Sequence, residues 1–219
     1  MNFELQQKLF KIVQRPAKYK EHPCVIVPEK LEPLPYNRLF FSNNSFHILE
    51  LGCGWGEFAL QWLEKYPQHE YIAMEVKGDR IKKILKKIDK KNIQNLKIIP
   101  VNFQWFFKEI IPENAFDLVI INFPDPWPKR RHWKHRLIQE SFLEILYKII
   151  RNNGYVYIAT DYGPYARKIL SIFRKSSLYR PAIPWPNYLR RRPLIFPESK
   201  FERITSKYNK PYYMLWKKV

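Results

Sequence analysis

Short apolar runs alternate along most of the chain with longer stretches in which apolar residues recur at helical spacing. The runs occupy residues 46–51, 70–75, 96–101, 116–121 and 155–160, each six residues and mostly apolar, and they predict five buried parallel strands. Between them lie residues 58–66, 78–90, 105–110 and 134–150, which predict helices. Ile81, Ile84, Leu85 and Ile88 show the one-sided spacing best, with lysines such as Lys82, Lys83, Lys86 and Lys87 assigned to the solvated face. A further helical stretch runs from after Asp161 to about Arg174. A proline-rich segment carrying Arg190-Arg191-Arg192 follows, and residues 211–218 predict a final strand. Regular strand–helix alternation implies right-handed crossovers and an α/β fold with a mostly parallel sheet covered by helices on both faces. In such sheets ligands sit beyond the carboxyl ends of the strands, so the residues that follow each strand are the ones to interrogate.

The first 44 residues break this pattern. They are basic and punctuated by proline, with one amphipathic stretch at 3–13, and they read as an N-terminal arm preceding a single domain over residues 45–219. The arm's charged residues Glu4, Lys8, Lys11 and Arg15 exclude a signal peptide or membrane anchor as its reading. No internal repeat is present.

The end of the first run reads Glu50-Leu51-Gly52-Cys53-Gly54-Trp55-Gly56, a strand that turns through three glycines into a helix. Glycine tolerates the backbone angles of such a turn and lets a ligand approach the main chain. The spacing is not that of the dinucleotide fingerprint, because Glu57 stands where its last glycine belongs, and a carboxylate there would repel a pyrophosphate. Glu75 ends the second strand, 19 residues beyond Gly56, where a carboxylate can accept both hydroxyls of a ribose. Glu50 precedes the glycines and can meet a cationic group. S-adenosylmethionine, with an ammonium, a sulfonium and a ribose but no phosphate, suits this acidic pocket better than a nicotinamide dinucleotide does.

The fourth strand runs into Asn122-Phe123-Pro124-Asp125-Pro126-Trp127-Pro128, where three prolines stiffen the loop and fix Asp125. From Lys129 to Arg136 come five Lys/Arg and two His within eight positions. Positive charge at the start of a predicted helix is unfavourable, which favours a functional cause, the gripping of phosphates. The whole chain agrees: 39 Lys+Arg against 20 Asp+Glu give a net charge of +19, more than solubility requires, and nucleic acid is the leading polyanionic partner. Two cysteines, Cys24 and Cys53, make no disulfide framework, and the chain reads as intracellular. His132 and His135 lack Cys or carboxylate partners at ligand spacing, so no metal is expected.

At this point the sequence resembles the tRNA (guanine-N7-)-methyltransferase family. Phe123-Pro124-Asp125-Pro126-Trp127-Pro128-Lys129 followed by a basic run is similar to that family's signature, and Thr160-Asp161 and Ser199-Lys200-Phe201-Glu202 match in order. The resemblance implies a Rossmann-like methyltransferase fold with a seven-stranded sheet, a cytoplasmic enzyme with no obligate protein partner, and methyl transfer from S-adenosylmethionine to N7 of a variable-loop guanosine at tRNA position 46. It places Glu50, Gly52, Gly54, Glu75, Asn102 and Asp125 around the cofactor, with Asp125 catalytic. It assigns Lys129, Asp161, Ser199, Lys200, Phe201 and Glu202 to the guanosine, and Arg130, Arg131, His132, Trp133, Lys134 and His135 to the RNA backbone. Ser199 departs from the usual Thr, and Asn102 stands where some members carry Asp. Two other readings remain open at this stage: an exocyclic-amine methyltransferase, from the faint likeness of Asn122-Phe123-Pro124-Asp125 to the loop of those enzymes, and an inactive RNA-binding module with the same fold.

Overall fold

The computed structural model describes residues 3–205 and 210–219; Met1 and Asn2, where the expected arm begins, lie outside them. Helices α1 (Phe3–Gln14) and α2 (Tyr36–Leu39) precede β1 (His47–Leu51), α3 (Glu57–Lys65), β2 (Glu70–Met74), α4 (Gly78–Lys91), β3 (Leu96–Ile99), α5 (Phe103–Ile110) and β4 (Phe116–Asn122). Then come α6 (Glu140–Ile149), β5 (Ile150–Thr160), α7 (Gly163–Lys175), β6 (Tyr179–Pro181), α8 (Lys200–Thr205) and β7 (Tyr212–Lys218). The seven strands form one sheet in the order β3-β2-β1-β4-β5-β7-β6. The neighbouring pairs among β1 to β5 are parallel, whereas β7 runs antiparallel between β5 and β6. The predicted Rossmann-like sheet is the one found.

Alternation along each strand explains the two helical layers. Leu49, Leu51, Ile72, Met74, Val119 and Ile121 pack with α1, α5, α6 and α7 on one face, while Ile48, Tyr71, Ala73, Leu118 and Ile120 pack with α3 and α4 on the other. In α4 the predicted stripe Ile81, Ile84, Leu85 and Ile88 is buried, and Lys82, Lys83 and Lys86 are exposed as expected. From β1 the chain moves outward through β2 and β3, then returns to place β4 on the other side of β1. This reversal opens a crevice between the carboxyl ends of β1 and β4.

Three expectations are corrected. Residues 134–150 are not one helix: Arg130–His135 form a 3₁₀ helix, and α6 begins only at Glu140. The break is held by tertiary bonds, since Arg136 donates from Nε to the Pro126 carbonyl at 2.8 Å, and the Gln139 amide donates to the carbonyls of Lys134 and Arg136. The basic run therefore does not start an α-helix, and the helix-dipole reason for a functional cause falls away. Nor do the first 44 residues lack a share in the core. Leu5, Leu9, Ile26, Leu34, Leu39 and Phe40 are buried in the α1/α5 layer, the Ile26 amide donates to the Ile98 carbonyl at 2.8 Å, and Glu70 accepts the amides of Phe41 and Ser42. Finally, β5 starts at Ile150 rather than 155, through an irregular stretch in which Phe116 pairs with Ile150 and Leu118 with Tyr155.

Candidate active site

The glycine turn after β1 forms one wall of a cavity of about 310 Å³ in the β1/β4 crevice. Gly54 and Gly56 both hold positive φ, at +60° and +68°. A Cβ on Gly56 would lie 2.8 Å from Ile84 of α4, which makes the glycine a packing requirement; a Cβ on Gly54 would meet nothing within 4 Å, so that backbone faces open space. Gly52, Cys53 and Trp55 complete this wall. Across from it stand Asn122, Phe123 and Asp125 from the loop after β4, and Ser199, Lys200, Phe201 and Ile204 close the mouth from the α8 region.

Glu50 is 1% exposed and lines the cavity. Its oxygens accept from the Tyr71 hydroxyl at 2.9 Å and the Asn122 amide at 3.1 Å. Burial outweighs these two bonds, and the neighbouring Glu75 charge adds to it, so the Glu50 carboxyl is pushed up to about 7. Because the folded value lies above the ordinary one, the folded protein binds the extra proton between pH 4.5 and 7, and stability falls as pH rises through that window, by roughly 3 kcal/mol in all. A cation placed beside Glu50 would relieve that cost.

Glu75 sits behind the glycine wall rather than in the cavity lining. One oxygen accepts the amides of Val76 and Lys77, both at 2.9 Å, and the other accepts the Gly54 amide at 2.9 Å and an Arg80 guanidinium NH at 3.3 Å. Those four bonds use the acceptor sites of a carboxylate. Asn102 also has a local task. It is the N-cap of α5, its Oδ1 accepting from the Gln104 amide at 3.0 Å, which leaves its amide nitrogen for any other partner.

The loop after β4 carries backbone strain on both sides of Asp125: Phe123 and Trp127 hold φ of +49° and +42°, and such non-glycine conformations cost about 1–3 kcal/mol each. Arg136 holds the loop, bonding the carbonyls of Pro126 and Trp127 and lying against the Trp133 and Tyr165 rings. Asp125 itself is exposed at the cavity rim. Lys129, Arg130, Arg131, Lys134 and His135 project as an exposed group, with His132 half-buried against Trp127 and Trp133 partly exposed. The ion pairs lie elsewhere, as in Arg80–Glu75, Arg151–Asp117 and Arg192–Glu202, and among the described residues no carboxylate partners this run.

Ser199 and Glu202 close a capping box at the start of α8. Ser199 Oγ accepts the Glu202 amide at 3.0 Å while Glu202 accepts the Ser199 amide at 3.4 Å. Glu202 is buried and also accepts from Arg192 at 2.9 Å and the Tyr213 hydroxyl at 2.6 Å. Serine and threonine cap helices alike, so the departure at Ser199 keeps the local structure. Asp161, just past β5, lies at the same carboxyl edge but one strand away, outside the cavity lining. The cavity thus gathers Glu50, Gly52, Gly54, Asp125, Ser199, Lys200 and Phe201. It leaves Glu75, Asn102, Asp161, Glu202 and the basic run around it. The sequence pattern does not single out Trp55 or Arg80 for this cavity, and it offers Asn122 only through the likeness to the exocyclic-amine loop, although Asn122 ends the strand beside β1.

Comparison with known proteins decides the family. A family model described as "Putative methyltransferase" matches residues 44–215. A tRNA (guanine-N(7)-)-methyltransferase of Leptospira interrogans is 41% identical over 81% of this chain and 81% of its own. The chain belongs to the tRNA (guanine-N7-)-methyltransferase family. A member from Nitrosomonas europaea is 34% identical over 92% of this chain and 88% of its own, so the match takes in part of the N-terminal segment as well. Among solved structures, the 16S rRNA methyltransferase KamB shares the fold at a TM-score of 0.59 and 12% identity, covering 80% of this chain and 88% of that one. Among the described residues no group of three or more His, Cys, Asp or Glu is placed to hold a metal, and no helix is long and apolar enough to cross a membrane.

Proposed function

We propose that this chain methylates N7 of a guanosine in tRNA, at variable-loop position 46, with S-adenosylmethionine as the methyl donor. The observation that carries the reading is the pairing of a buried Glu50 with an exposed Asp125 across one cavity at the β1/β4 crevice. Family membership supplies the reaction, and the cavity's chemistry fits the donor: Glu50 has only neutral hydrogen-bond partners, and Gly54 leaves its backbone open to a guest.

When bound, S-adenosylmethionine supplies a methyl group on a positively charged sulfur. Guanine N7 offers an in-plane lone pair that needs no deprotonation, so the task of the chain is alignment and charge placement rather than base catalysis. Glu50, which lines the cavity, would hold the cofactor's cationic end. Asp125, held by its strained loop, stabilises positive charge at the transfer centre. Asp161 accepts the guanine N1–H and amino protons, a selection against adenine that does not fall to Glu202, whose carboxylate is engaged with Arg192, Tyr213 and Ser199. Glu75 serves first as the brace of the glycine turn; accepting ribose hydroxyls requires it to exchange a partner, and the Arg80 bond, the longest of its four, is the one to yield. The exposed cations from Lys129 to His135 hold the RNA backbone.

The deciding experiment incubates the protein with methyl-labelled cofactor and bulk tRNA, then cleaves chemically at 7-methylguanosine. Label confined to a variable-loop guanosine is the expected result. Label in an N-methylated exocyclic amine, or none, would refute the reading.

A further inference from the structure

A second concavity, of about 440 Å³, lies on the other side of the loop after β4. Phe123 and Asp125 of that loop line the cavity described above, whereas Trp127 turns to the opposite side and lines this groove. The facing wall is the first two turns of α5, with Trp105 and Lys108, and the floor comes from Lys134, His135 and the start of α6. Trp105 is 48% exposed, and the Lys8 ammonium of α1 lies over its ring at 4.8 Å. The Trp127 indole NH is buried without a hydrogen-bond partner, its ring packed against His135. None of the described residues lining the groove is acidic.

An exposed indole beside cations suits a planar ring attached to a phosphate chain. Stacking on an aromatic face is open to every base, and lysines track the backbone that carries it. The groove volume falls within the range of sites for nucleoside-sized ligands. It also continues directly into the basic run, three of whose members, Lys134, His135 and Arg136, belong to both. We propose that this groove is a second nucleobase site, in which an unpaired base of the RNA substrate other than the methylated guanosine stacks on Trp105, with Lys108 and Lys134 on its phosphates. The proposal rests on the RNA-methyltransferase reading above. Its purpose would be registration: a second fixed base sets which nucleotide reaches Asp125.

The test compares Trp105→Ala and Trp105→Phe with the wild-type chain, measuring tRNA affinity over a range of salt, cofactor affinity and thermal midpoint. Trp105→Ala should weaken tRNA binding by about 5- to 150-fold with the salt dependence and cofactor affinity unchanged, because stacking is not ionic. Trp105→Phe should restore binding to within a few-fold. Should the alanine variant fold poorly, the phenylalanine variant still decides, since RNA-induced tryptophan quenching must shrink in it while affinity holds; equal quenching in both proteins overturns the proposal. Unchanged tRNA affinity in Trp105→Ala overturns it too and leaves the methyltransferase reading intact, as does a matching loss of cofactor affinity, which would assign the groove to the cofactor. A fall in thermal midpoint that Trp105→Phe does not rescue would make Trp105 a clip for α1 and nothing more. Wild-type protein that methylates no tRNA would instead remove the reading on which the proposal stands.

Discussion

The two walls of the cavity are built in opposite ways. On the β1/β2 side the carboxylates are buried and bonded within the chain: Glu75 takes three backbone amides and Arg80, which fill its acceptor sites, while Glu50 takes Tyr71 and Asn122 and keeps acceptor capacity for a ligand. On the β4 side, Asp125 and the cations that follow it are exposed, on a loop held in strained angles by Arg136. Electrostatics explains the division. A small cationic ligand is gripped best by charge that water cannot screen, whereas a large polyanion is met first at long range by cations left in solvent.

The contrast breaks most sharply at Asp125, whose replacement by Asn should lower the single-turnover methylation rate by about 10²-fold or more while cofactor affinity changes little. An unchanged rate would show that charge at this place is idle. Next, Glu75→Ala should weaken cofactor binding by roughly 10- to 150-fold, since a charge-assisted bond is worth about 1.5–3 kcal/mol; calorimetry that finds no loss would mean that the glycine turn holds its shape unaided. Glu50 sharpens the comparison through pH. The cationic cofactor prefers the ionised carboxylate, so affinity should fall as pH drops below about 7, by up to about tenfold per unit, and Glu50→Gln should flatten that profile. The same variant should be relatively more stable above pH 7, where wild-type Glu50 carries a buried charge. The smallest effect belongs to the exposed wall: single Ala replacements at Arg130, Arg131 or Lys134 should each lower the slope of log affinity against log salt by up to about one, without touching cofactor binding.

Much of this was legible before any coordinates. The five parallel strands, the last strand and the α4 stripe follow from period, although the short β6 does not, and the placing of Glu50 and Asp125 follows from the rule that ligands gather at the carboxyl edge. What sequence patterns hide is the partner of each polar group. Glu75 reads as a ligand acid, but whether its lone pairs are free depends on amides brought there by the fold. Residues 134–150 carry one apolar rhythm, and the break in it is held by side-chain bonds, from Arg136 to the Pro126 carbonyl and from Gln139 to the carbonyls of Lys134 and Arg136. Arg151-Asn152-Asn153-Gly154, outside the predicted strand at 155–160, lies within β5, as an irregularity that two neighbouring strands carry. The capping box is written in the sequence as Ser-x-x-Glu at residues 199–202, a helix-start pattern.

The antiparallel seventh strand bears on how the molecule comes to be folded. Residues 212–217 pair with 155–160 along the full ordered half of β5, and β6 reaches the sheet only through β7. Until that segment leaves the ribosome, the nascent chain presents β5 as an open edge of Val156, Ile158 and their neighbours, the kind of template on which other chains aggregate. Burial of that edge therefore depends on residues 212–218, and truncations that remove them should be judged by solubility before they are judged by activity.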